Sequence, residues 1–126
     1  MHWLILTLSL GALGVALRWW VITWLGVTSF PWATLLVNVG GSGVIGLLYA
    51  DMVFRGHSQW GPFAAALAVG FLGGVTTYSS YSLDVIRLGE SGLWTVAATY
   101  VLAQNLFCIG ACWLAYRLGL ELFKLI

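Results

Sequence analysis

The residues best suited to chemistry lie between Gly70 and Ser82, in the run Gly70-Phe71-Leu72-Gly73-Gly74-Val75-Thr76-Thr77-Tyr78-Ser79-Ser80-Tyr81-Ser82. Three glycines are followed by five hydroxyl residues and two tyrosines. Glycines loosen a helix, and serine and threonine side chains can satisfy backbone groups freed by a break in it. If residues 78–82 are helical, Tyr78, Tyr81 and Ser82 share one face, and Ser79 pairs with Ser82 in the same way. That face offers hydroxyl donors beside aromatic ring edges, which carry the positive end of the ring quadrupole. Such chemistry suits a small anion and not a cation. A helix packed through small residues is the plainer reading of the stretch; it accounts for the glycines better than for the hydroxyls.

Other polar groups stand in apolar surroundings. Asn38 sits within Leu35-Leu36-Val37-Asn38-Val39-Gly40-Gly41-Ser42. Its amide carries two donors without a fixed charge and requires partners inside a membrane, so it is either an anion donor or an interhelical bond. Gln104 and Asn105 interrupt another apolar run, one turn after Tyr100. At least one of them faces protein or water. Arg18 is the one positive residue in the first apolar stretch. It can snorkel beside Trp19, Trp20 and Trp24, or draw anions to an entrance. Cys108 and Cys112 are four apart on one helix face and read as small packing residues, since parallel side chains rarely meet disulfide geometry.

The elements that position these groups are membrane helices. Of 126 residues, 61% are hydrophobic and 7% charged, against roughly a quarter charged in a soluble domain. A span takes about 20 apolar residues, so four spans use nearly the whole chain as one domain. They are expected at about Trp3–Leu25, Trp32–Phe54, Trp60–Arg87 and Leu93–Leu118. Trp32, Trp60 and Trp94 near the span starts agree with indole preference for the headgroup level. The small-residue pairs Gly70/Gly74 and Ser42/Gly46 predict close helix approach. The start lacks the positive segment of a cleaved leader, so Met1 onward is expected in the mature protein.

With an even number of spans, Arg55, Arg117 and Lys124 share one side, and Arg18 and Arg87 the other. This near-absence of bias fits weakly determined topology, or insertion both ways and hence an antiparallel dimer. A net charge of +1 predicts no nucleic-acid partner. Asp51, Asp84, Glu90 and Glu121 all fall toward span ends, away from where proton-coupled exporters place a carboxylate. No nucleophile–base pair, zinc-protease motif or phosphate loop is present, so the chain is not expected to be an enzyme.

The chain resembles the Fluc, or CrcB, family of small bacterial fluoride channels. The carrying motifs are Gly11 to Arg18, Thr34 to Ser42 and Gly70 to Ser82, with a weaker match at Tyr100 and Tyr116-Arg117-Leu118-Gly119. The resemblance implies an all-α integral membrane fold of four helices with a broken third helix, in an antiparallel, dual-topology dimer with two pores. It implies a structural sodium ion at the dimer interface, held by the backbone carbonyls of Gly73 and Thr76. It places Asn38, Tyr78, Ser79, Ser80, Tyr81, Ser82, Tyr100 and Gln104 along an anion pathway, with Arg18 as a vestibule or interface charge. It makes the chain a passive exporter of fluoride across the inner membrane. Two departures stand out: tyrosines occupy both positions of the family's pathway phenylalanines, and Gln104 replaces a frequent serine. A homodimer is expected; a heterodimer in which this chain conducts differently or not at all is the alternative. A small four-span multidrug-type exporter would need a glutamate in the first span, which is absent.

Overall fold

The computed structural model describes residues 1–125, and all regular structure in them is helical. The elements are α1 (His2–Leu25), α2 (Trp32–Phe54), α3 (Pro62–Ala66), a π-helical turn (Leu67–Leu72), α4 (Gly73–Val75), α5 (Tyr78–Glu90) and α6 (Trp94–Lys124). Four stretches are long and apolar enough to cross a membrane, the third running from Pro62 to Glu90. Large apolar side chains point outward along them: Trp19 is 66% exposed and Leu102 62%. In water that surface would be prohibitive; in hydrocarbon it is the contact face. The protein is a multi-pass membrane protein.

Three boundaries differ from expectation by more than one residue, one of them the end of the third span at Glu90, past Arg87. The third span starts at Pro62, whose ring fits a first helical turn, instead of at Trp60. The fourth continues to Lys124, past Leu118, because no proline stops it and Lys124 pairs with Glu121 across 2.8 Å on its last turn.

The helices pack as two parallel pairs. In the first, α1 lies on the first half of the third span through glycines from both sides. Gly14 is the one buried residue of α1. A Cβ added there would overlap the Phe71 carbonyl oxygen, and one at Gly70 would overlap the Thr7 carbonyl oxygen. At Gly74 it would stand 2.5 Å from Gly11 O and 2.9 Å from Val15 N. Backbones this close gain dispersion contacts that lipid cannot supply. In the second pair, α2 and α6 run together along most of their length. Gly46 abuts the Cys112 carbonyl, and Gly119 faces Ala50.

The second half of the third span, α5, packs on α6. Between them and α2 lies the core of Leu35, Tyr81, Leu88, Ala97 and Tyr100. An aromatic chain runs through it edge to face: Tyr78 to Tyr81 at 5.2 Å, Tyr81 to Tyr100 at 5.4 Å, and Tyr100 to Phe30 at 5.4 Å. Tyr100 is fully buried.

Candidate functional site

The backbone is extended at two residues in the third span. Thr76 has φ −85° and ψ 153°, and Thr77 has φ −155° and ψ 115°. Both are β-branched, which favours extended backbone. The groups this frees are satisfied from the side. Asn38, buried on α2, accepts from Thr77 N at 2.7 Å and donates through Nδ2 to Thr77 O at 3.1 Å. One amide thus pairs the Thr77 N–H, which has no helical acceptor, and adds a donor to the Thr77 carbonyl at the start of α5. Thr77 also caps α5, its Oγ1 accepting from Ser80 N at 3.1 Å. Ser80 Oγ and Ser79 Oγ each lie 3.1 Å from the same hydroxyl.

This diversion has a second effect. In a continuous helix, Gly73 O would accept from Thr77 N and Thr76 O from Ser80 N. Those donors instead serve Asn38 and the Thr77 hydroxyl. The carbonyls of Gly73 and Thr76 have therefore lost their ordinary helical donors.

Beside the extended residues an open cavity of about 390 Å³ is lined by Asn38, Ser42, Gly73, Thr76, Thr77, Tyr78, Tyr81, Gln104, Asn105 and Cys108, among apolar residues. No charged side chain lines it. It joins sequence-predicted residues from three spans: Asn38, Gly73, Thr76, Tyr78, Tyr81 and Gln104. Ser79, Ser80, Ser82 and Tyr100 are not part of its lining. The Ser82 hydroxyl donates to Tyr78 O at 3.0 Å within α5. Gln104 is 7% exposed; its Nε2 reaches Cys108 Sγ at 3.5 Å, while its Oε1 is buried and unpartnered. That oxygen is a buried acceptor without a donor, and such groups are costly to leave unpaired. Arg18 lies one helical turn beyond Gly14, half-buried, and takes part in neither of the ion pairs of the described residues, Arg55–Asp51 and Lys124–Glu121.

One cluster was not legible beforehand. Asp84, expected merely near a span end, accepts from Thr34 Oγ1 at 2.8 Å and from the Tyr100 hydroxyl at 3.4 Å. The available signal was spacing: Asp84 follows Ser80 by four residues and Tyr81 by three, hence on their face of α5. Thr34 precedes Asn38 by one turn on α2. The polar side of α5 thus continues beyond the cavity. Thr34→Val removes the short bond and should cost about 1.5 kcal/mol of stability. Tyr100→Phe loses only the long one and should cost about 0.5 kcal/mol or less. Thermal melts in detergent would check that order; equal losses would contradict it.

Residues 5–116 match the family described as CrcB-like protein, Camphor Resistance (CrcB). The chain belongs to the CrcB family. A protein of Agrobacterium fabrum named fluoride-specific ion channel FluC is 40% identical over 116 residues, covering 90% of this chain and 92% of the relative. One of the same name from Paramagnetospirillum magneticum is 39% identical over 122 residues, covering 88% and 93%. A third, from Coxiella burnetii, is 37% identical over 125 residues, covering 97% and 100%. These CrcB relatives are ion channels by name, not enzymes.

Proposed function

We propose that this protein is a passive, fluoride-selective channel of the cytoplasmic membrane, working as an antiparallel dimer. The observation that carries the reading is the uncharged, donor-lined cavity beside Thr76 and Thr77, in a chain whose CrcB relatives are named for fluoride. Fluoride holds its water strongly, so a pathway must replace that water with donors. Here the donors are neutral: the spare Nδ2 hydrogen of Asn38, the phenols of Tyr78 and Tyr81, and the Gln104 amide. Neutral donors bind weakly enough to release the ion, which conduction requires. The Tyr78 and Tyr81 ring edges add a positive electrostatic face. Arg18, without a carboxylate partner among the described residues, would raise anion concentration at an entrance.

The dimer reading is supported by exposure. Tyr78, which lines the cavity, is 78% exposed although it stands within a span. A second copy inserted the opposite way supplies the missing wall and makes two pathways. The carbonyls of Gly73 and Thr76, released from helical bonding, fit a structural sodium ion, a hard cation that takes oxygen ligands. It would supply a fixed positive charge near the path.

Vesicles loaded with fluoride and reconstituted with the purified chain should empty within minutes, as read by a fluoride electrode. Chloride-loaded vesicles should hold their contents. Fluoride release no faster than from protein-free vesicles would end the channel reading for this chain alone.

A further inference from the structure

Tyr81 carries a hydroxyl at a position where a pathway ring edge was expected, and that hydroxyl has a neighbour. Asn105 Nδ2 donates to Val101 O at 2.8 Å, within its own helix, and to the Tyr81 hydroxyl oxygen at 3.4 Å. The first bond fixes which end of the amide faces Tyr81, because only nitrogen can donate to a carbonyl. Tyr81 therefore meets a donor. A phenol oxygen accepts and donates, but it cannot give its own hydrogen to an N–H. Among the described residues the Tyr81 hydroxyl enters hydrogen bonds only as an acceptor, from Asn105. Both residues line the cavity, and Tyr81 is otherwise buried against Tyr78 and Tyr100.

We infer that Asn105 is a positioning residue which holds the Tyr81 phenol so that its O–H points into the cavity as a donor to the passing anion. This rests on the channel reading above. Accepting from Asn105 also polarises the phenol and strengthens its own donation. The pair converts an aromatic edge, which attracts an anion diffusely, into a directional hydrogen-bond site. Both Nδ2 hydrogens of Asn105 are taken up by Val101 O and the Tyr81 oxygen, so its effect passes through the Tyr81 oxygen.

That dependence gives the test, in vesicles reconstituted with the full chain. Tyr81→Phe removes the donor and should raise the half-saturating fluoride concentration about tenfold. Asn105→Leu leaves the phenol free to turn and should raise it about threefold, as befits a long bond. Asn105→Asp offers acceptors, which capture the phenolic hydrogen, and adds a negative charge to the cavity; its effect should exceed that of Tyr81→Phe. In the Tyr81→Phe background, Asn105→Leu should have no further effect. A merely structural Asn105 would shift both backgrounds by the same factor, and that result would overturn the inference while leaving the channel standing. So would a Tyr81→Phe protein with the unaltered fluoride dependence. Unaltered protein that retains fluoride in the vesicle removes the channel reading and this inference with it.

Discussion

Asn38→Asp should reduce fluoride release from vesicles by about 100-fold, corresponding to about 3 kcal/mol. One oxygen of the new carboxylate still accepts from Thr77 N, as Oδ1 of Asn38 does at 2.7 Å. The other replaces the Nδ2 that donates to Thr77 O at 3.1 Å. Two acceptors then face each other in a site with little water, and a negative charge enters the cavity the anion crosses. Asn38→Leu should be equally damaging for a different reason, because Thr77 N loses its acceptor and Thr77 O one of its donors inside the bilayer. The two variants separate the roles of the side chain. If Asn38 served only as an ion donor, Asn38→Leu would leave thermal stability untouched. The clamp on Thr77 requires a lower melting temperature together with the loss of flux. Release at the normal rate from Asn38→Asp vesicles would contradict both roles.

The sequence shows why some of this could be anticipated and some could not. Composition and the tryptophans at the span starts made four apolar helices evident, since a bilayer permits few alternatives. The importance of residues 70–82 was also plain from their residue types. The division of labour within them was not. Gly70 and Gly74 make the close helix contact their spacing suggested, but against α1, and the extended backbone comes after them at Thr76 and Thr77. Periodicity within one span cannot reveal that its glycines face Thr7 and Gly11 more than fifty residues earlier. The partner of Asn38 was hidden for the same reason: it is a backbone unit 39 residues away, and backbone groups leave no mark in sequence. Asp84 lies toward a span end as expected, but that position does not disclose its partners. Its surroundings are set by Thr34, 50 residues away, and Tyr100, 16 away.

The glycine contact between α1 and the third span leads to the other large effect. Gly70→Ala should destabilise the protein by about 3 kcal/mol, the upper range for overpacking, and Gly14→Ala by a similar amount. In both cases the obstructing atom is a backbone carbonyl oxygen, of Thr7 and of Phe71 respectively. A side chain could rotate aside; a helical carbonyl cannot without separating the two helices. Separation would also displace Gly73 and Gly74, and with them the approach to Thr76, so flux should fall along with the melting temperature. Gly110→Ala supplies the comparison. It is also a helical glycine, but nothing lies within 4 Å of where its Cβ would be, so the change should be neutral or stabilising by about 0.5 kcal/mol. If Gly70→Ala and Gly110→Ala melted alike, the close approach of α1 to the third span would be wrong. The route by which α1 holds the Thr76–Thr77 segment against Asn38 would be wrong with it.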